Sequence, residues 1–184
     1  MLAPICLIIL LGLRRGEALG LKWSDFDFNN KTLHIQRTAT PAKGGYRFSD
    51  CKTEDSNRFL ALPDIVISVL EKWKVYQSEF YETIEGFNPD NYVFFNYTGC
   101  ILSCSYLGRN FKQALKECNL PDIRIHDLRH SYATLLLSKN IAPKVASSML
   151  GHSDTRTTLD IYSHLLTNMQ APVTNAIDDT FKKS

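Results

Sequence analysis

No apolar run in this 184-residue chain reaches the ~20 residues needed to span a bilayer. The longest, Met1 to Leu13, is 13 residues. No basic residues precede it and no small-residue cleavage site follows, which speaks against a signal peptide as well. A buried core helix is the remaining reading, and a chain that opens inside a core helix is expected to lack upstream sequence. Paired cysteines are also missing. Cys6, Cys51, Cys100, Cys104 and Cys118 are odd in number, contain no Cys-x-x-Cys and have no secretory context, so they read as reduced cytosolic thiols. A large net charge is absent too. The 21 basic and 19 acidic residues leave +2, and that total demands no polyanionic partner. Repeats, low-complexity tracts and internal linkers are lacking, which points to one domain.

What is present begins with a 44% hydrophobic content, enough for a real core at this size. The charge is also unevenly spread. Residues 1–63 carry nine Lys or Arg against six Asp or Glu, residues 64–92 two against six, and residues 93–184 ten against seven. Two mildly basic blocks flank an acidic one, a pattern equally suited to a polyanion site shaped by the chain ends and to ordinary surface variation.

Periodicity predicts a helix over about 3–22, with Leu7, Leu10, Leu11, Leu19 and Leu21 facing the core and Gly12, Gly16 and Gly20 loosening its second half. Alternation around Leu33 and Ile35, a turn at Gly44-Gly45 and the run Phe59 to Leu62 predict one small antiparallel sheet over 31–62. Helices are expected at about 64–80, 104–118, 127–139, 143–150 and 155–166. Ser103 and Ser153 serve as caps and Pro143 sits in a first turn. Behind Pro172, the apolar stripe Val173, Ala176, Ile177 and Phe181 needs a surface to pack on. The class is therefore mainly α with a small antiparallel β-sheet (α+β).

Four short motifs carry chemistry. Gly12-Leu13-Arg14-Arg15-Gly16-Glu17 places a carboxylate one turn from an arginine, which is most often an i,i+3 pair on a solvated face. Cys51-Lys52-Thr53, with Ser56 and Arg58, makes a polar hairpin that says little alone. His126-Asp127-Leu128-Arg129-His130 aligns His126, Arg129 and His130 near a helix start. The two histidines have metal-ligand spacing, but the glutamate of a His-Glu-x-x-His site is absent and Arg129 would sit beside the cation, so a zinc hydrolase ranks low. Leu150-Gly151-His152 is followed by Tyr162, and a lone tyrosine near a helix end is usually packing.

Together these residues suit a phosphodiester attacked by a phenol. Arginine forks match the non-bridging oxygens and stabilise the extra charge of a pentacoordinate transition state, a task otherwise given to a metal ion. A phenol of pKa ~10 is less than ~1% ionised at pH 7, so it needs a base or strongly positive surroundings. Histidines and arginines supply both, and a hairpin lysine can protonate a leaving oxygen.

The order and spacing of Gly12-Leu13-Arg14, Lys52-Thr53, His126 to Arg129, Leu150-Gly151-His152 and Tyr162 resemble the tyrosine recombinase family, the phage and transposon integrases, over almost the whole chain. The resemblance implies a catalytic domain over 1–184 that cuts and rejoins DNA without metal, cofactor or ATP. Arg14 and Arg129 would grip the scissile phosphate, and His152 would hydrogen-bond one of its oxygens. Lys52 would protonate the departing 5′-hydroxyl. His126 would assist proton transfer at Tyr162, with Glu17 holding His126 in orientation. Tyr162 would form a 3′-phosphotyrosine. Arg15, His130 and His164 match common neighbours of the motifs and are given structural roles.

The expected partners are double-stranded attachment-site DNA, further copies in a tetrameric synapse and DNA-bending accessory proteins, in a bacterial or phage setting in the cytoplasm at the nucleoid. The chain departs from the family pattern in lacking an upstream core-binding domain, an arm-binding module and the opening helix of the catalytic domain. Cys51 stands where many relatives have proline. DNA binding by this piece alone is expected to be weak and salt-sensitive. The tail 167–184 docks either on a neighbouring protomer or back in cis. The alternative activities are a type IB topoisomerase, disfavoured by the short hairpin and by His152, and a DNA-binding remnant that no longer cuts.

Overall fold

The computed structural model describes residues 2–43, 45–50, 56–81, 87–88, 90–152, 156 and 158–159. The apolar opening run forms helix α1 (Leu2–Leu11), which buries Ala3, Leu7, Ile8 and Leu11. The helix expected to continue to residue 22 stops there. Gly12 takes a φ of +64°, and a short helix α2 (Arg15–Leu19) starts afresh after it. The cause is close packing from elsewhere in the chain. A Cβ on Gly12 would lie 2.3 Å from Tyr132 Cδ1, and the Gly12 carbonyl is turned to accept from Arg129 Nη1 at 2.6 Å. A 3-10 turn, Trp23–Asp25, then leads into the strands.

The predicted single sheet is two. Strands β1 (Phe26–Asp27), β2 (Thr32–Ile35) and β5 (Arg58–Ala61) pair antiparallel in the order β1-β2-β5, while β3 (Arg37–Ala42) and β4 (Gly45–Asp50) form a separate hairpin. The division falls at Gln36, where a buried carboxylate takes hold of the chain. Asp25 accepts from Gln36 Nε2 at 2.7 Å, from Arg37 Nη1 at 2.5 Å and from the Lys22 amide at 2.8 Å. A buried charge needs such compensation, and meeting it ends β2 and sends β3 into a different pairing. In β5 the alternation is clean: Arg58 and Leu60 point inward, Phe59 and Ala61 outward. The outward Phe59 ring stacks on His34 at 4.1 Å.

The helices follow their predicted bounds closely: α3 (Asp64–Tyr81), α4 (Cys104–Glu117), α5 (Ile125–Ser138) and α6 (Pro143–Leu150). Ser103 Oγ caps α4 by accepting the Tyr106 amide at 3.2 Å. Asp127 accepts the Arg124 amide at 2.8 Å at the start of α5, two residues earlier than periodicity indicated. Proline opens α6, and Gly151 at φ +66° closes it. Helix α1 packs on α3 and α5, and α5 on α6. Gln77, buried in α3, donates to the Val93 carbonyl at 2.7 Å and accepts from Trp23 Nε1 at 3.2 Å, tying the 3-10 turn to the middle of the chain. Of the helix expected at 155–166, Arg156, Thr158 and Leu159 are described, and they are helical. Ser153, the rest of that helix and the tail 167–184 lie outside the described residues.

Candidate functional site

The site is built around Glu17, only 2% exposed. As the third residue of α2 it reaches back to the Arg14 amide, which donates to Oε2 at 2.8 Å, so the local helix start already dictates where the carboxylate points. Arg14 Nη1 donates to Oε1 at 2.7 Å. The i,i+3 pair read from the sequence is therefore real, with its carboxylate buried and its arginine partly exposed. From β5, Arg58 forks onto the same carboxylate, Nη1 to Oε1 at 3.2 Å and Nη2 to Oε2 at 3.1 Å. Burial alone would raise the Glu17 carboxyl; the hydrogen bonds and charge of Arg58, then of Arg14, outweigh it and hold the group below its ordinary range.

Arg129 enters from α5. It lies on the inward side of that helix with Ile125, Leu128, Tyr132 and Ala133 and is 3% exposed. Its Nη1 donates to the Gly12 carbonyl at 2.6 Å and its Nη2 to the Leu150 carbonyl at 2.5 Å, and Glu17 Oε2 stands 4.0 Å away. Arg14 Nη2 donates to the Gly151 carbonyl at 2.5 Å. The end of α6 thus closes over both arginines. Burial, then the charge of Arg14, lowers the Arg129 guanidinium to about 9, and it keeps its proton at neutral pH.

Three imidazoles complete the cluster. His126 and His130 stand edge to face with ring centres 4.8 Å apart, one turn apart on α5. His152, just past Gly151, has its Nδ1 3.0 Å from Thr158 Oγ1. Burial and then the charges of Arg129 and Arg14 pull His152 down to about 4, and burial with His130 and Arg129 also lowers His126. Both rings are neutral at pH 7, so either can accept a proton, becoming a cation, or relay one between its two nitrogens.

A pH dependence of stability follows. His152 in the unfolded chain titrates near ~6.5, so between about 6.5 and 4 the unfolded state binds more protons than the folded one. The His152 contribution is complete above pH ~6.5 and is lost as pH falls toward 4. The thermal midpoint should drop on acidification through this window, and the drop should be shallower in His152→Gln. Equal slopes in the two proteins would contradict the assignment.

Beside His126 opens a groove of about 830 Å³ lined by Arg15, Arg109, Lys112, Lys116 and Arg124. Lys112 is paired with Asp122, and Arg124 with Asp127 at 2.9 Å. The groove is open, sets these cations around an apolar floor that includes Phe111 and Ile125, and reaches His126, a form suited to an extended polyanion rather than to an enclosed small molecule.

Of the residues predicted for the site, Arg14, Glu17, His126, Arg129 and His152 come together. Lys52 and Tyr162 lie outside the described residues, as do Cys51 and His164. One pairing is corrected: Glu17 does not hold His126. Its oxygens are occupied by Arg14 and Arg58, and His126 instead faces His130. Arg58 carried almost no weight in the sequence. The signal available there was its place on the inward face of an alternating strand, where a guanidinium must find a buried counter-charge. Thr158 and Tyr132, the partners of His152 and Gly12, were equally silent.

Comparison with known proteins places this arrangement. The model of the phage integrase family matches residues 2–169. A "Tyrosine recombinase XerC-like" protein of Caldanaerobacter subterraneus is 31% identical over 92% of this chain and 47% of its own length. The "ICEBs1 integrase" of Bacillus subtilis is 30% identical over 92% of this chain and 46% of its own. The chain spans about half the length of the curated relatives it matches. Among solved structures, the Tn1549 transposon integrase in complex with circular intermediate DNA is 25% identical with a TM-score of 0.76, over 87% of this chain and 54% of that one. The XerH site-specific recombinase bound to a palindromic difH substrate is 25% identical with a TM-score of 0.65, over 92% and 44%.

Proposed function

We propose, from the premise that this chain belongs to the phage integrase family, that it is the catalytic part of a mobile-element recombinase that cuts and rejoins double-stranded DNA through a 3′-phosphotyrosine. The observation that carries the reading is the convergence of Arg14, Arg58 and Arg129 with His126, His130 and His152 around one buried carboxylate. Three guanidinium charges against a single Glu17 leave an excess of positive charge in a partly dry setting. That is what a phosphorane transition state needs and what a neutral substrate would not use.

In the proposed reaction the Tyr162 oxygen attacks the scissile phosphorus, and the bond from phosphorus to the 5′-oxygen breaks. Arg14, 38% exposed along its side chain, presents its free edge to a non-bridging oxygen. Arg129 adds charge from below. His126, neutral at pH 7, takes up the phenol proton, and Lys52 gives one to the departing 5′-hydroxyl. His152 steadies a phosphate oxygen. The phosphotyrosine keeps the bond energy, so a 5′-hydroxyl from another strand reverses the step without ATP. The cationic groove beside His126 follows the duplex backbone. Further copies assemble on the DNA as a tetramer, DNA-bending proteins assist, and the work takes place in the cytoplasm at the nucleoid.

The test is a covalent adduct. The full chain, incubated in EDTA with a nicked duplex whose cleaved fragment diffuses away, should become linked to DNA, and digestion should place the link on the peptide carrying Tyr162. Linkage to any other peptide, or cleavage that EDTA abolishes, would overturn the proposal.

A further inference from the structure

Three arginines share one carboxylate, and only two of them have a task in the proposed reaction. Arg58 has none. Its side chain is 7% exposed, and all three of its nitrogens donate within the protein. Nε goes to the Met149 carbonyl at 2.8 Å, Nη1 to Glu17 Oε1 at 3.2 Å and to the Ser56 carbonyl at 3.3 Å, and Nη2 to Glu17 Oε2 at 3.1 Å. Four of its five N–H donors are engaged in this way, and the one that remains on Nη2 is buried with the side chain.

The two anchors of Arg14 both trace back to this residue. Arg14 is held by the Glu17 carboxylate and by the Gly151 carbonyl. Arg58 grips Glu17 on both oxygens, which fixes the plane of the carboxylate and therefore the direction of the lone pairs that face Arg14. It also grips Met149, two residues before Gly151 at the end of α6, and so holds the turn that delivers the second anchor and, next to it, His152.

We infer that Arg58 is the positioning residue of the site: through Glu17 and Met149 it sets the half-exposed Arg14 and the turn bearing His152, and it touches no substrate itself. The inference rests on the proposed strand-cleaving function. It differs from a simple role in neutralising a buried acid, because neutralisation needs only a charge, whereas positioning needs a fork and a third donor in one rigid plane. Lysine separates the two. An ammonium can neutralise Glu17 but cannot hold both of its oxygens and the Met149 carbonyl at once.

The experiment compares the parent full chain with Arg58→Lys, Arg14→Ala and the double variant. Expected for Arg58→Lys are a thermal midpoint close to the parent's, a half-saturating DNA concentration within about threefold, and a single-turnover rate of adduct formation at saturating DNA about 100-fold lower, the scale of an ångström-level misplacement. In the Arg14→Ala background the same change should cost clearly less than in the parent, since the route through Arg14 is already removed and only the turn bearing His152 is left to disturb.

A readout that needs no catalysis runs beside this. Side-chain NMR of the Arg14 guanidinium should show restricted rotation in the parent and at least tenfold faster rotation in Arg58→Lys. A parental adduct rate in Arg58→Lys, a rate loss that merely parallels a loss of thermal stability, full additivity with Arg14→Ala, or unchanged Arg14 rotation would each overturn the inference. If the parent itself forms no adduct at Tyr162, the proposed function fails, while the NMR comparison still decides whether Arg58 positions Arg14.

Discussion

Replacing Tyr162 by phenylalanine is expected to abolish the covalent adduct, lowering its rate on the order of 10⁵-fold or more, as loss of the nucleophile does in other covalent enzymes. The substitution removes one oxygen and leaves the ring. The change is small and neutral, and DNA affinity, which the proposal assigns mainly to phosphate contacts along the groove beside His126, should stay within about twofold. Among the described residues the phenol beside the arginines is Tyr132, which is buried and has its pKa raised by that burial, so it is a poor substitute. Gel-shift and denaturing-gel assays on one DNA substrate measure both quantities together. An adduct that survives Tyr162→Phe removes the nucleophile from the proposal, and binding lost along with the adduct would mean that the hydroxyl serves the fold or the binding and not the chemistry alone.

Gly12→Ala is expected to be the most damaging small substitution in the domain. The position sits at φ +64°, where a side chain costs about 1–2 kcal/mol, and the added methyl would meet Tyr132 Cδ1 at 2.3 Å and Leu150 Cδ2 at 2.9 Å. Overpacking of that kind adds roughly 1–3 kcal/mol, and the sum is a large share of a typical domain's stability. Relief by backbone movement would shift the Gly12 carbonyl away from Arg129, so activity should fall even in molecules that stay folded. Trimming the obstacle in Gly12→Ala/Tyr132→Ala should recover less than might be hoped, because the dihedral cost remains and a cavity opens. Thermal unfolding of the single variant within a degree or two of the parent would contradict this account.

Much of the architecture was legible because it rests on local chemistry. The bounds of α3, α4 and α6 follow from Asp64 after Pro63, the Ser103 cap and the pairing of Pro143 with Gly151, each of which acts within a few residues. What escaped depended on partners far along the chain. Gly12 breaks the first helix because Tyr132 and Leu150 press on it, more than a hundred residues away. The sheet divides because Asp25 is buried and captures residues 36 and 37. The site shows the same contrast. Arg14, His126, Arg129 and His152 announce themselves by short motifs, whereas the partner of Glu17 was misjudged because Arg58 stands alone in a strand and its message lies only in which way it faces.

Among the described residues, five main-chain carbonyls, of Gly12, Ser56, Met149, Leu150 and Gly151, receive donors from the three arginines. A carbonyl has no sequence identity. Methionine at 149 and leucine at 150 can drift to other apolar residues that fill the same space without touching the acceptors, while the arginines and the glycines that shape the backbone cannot. The placing of the arginines is therefore written in backbone direction, and distant descendants of this domain could share it atom for atom while agreeing on few letters around it.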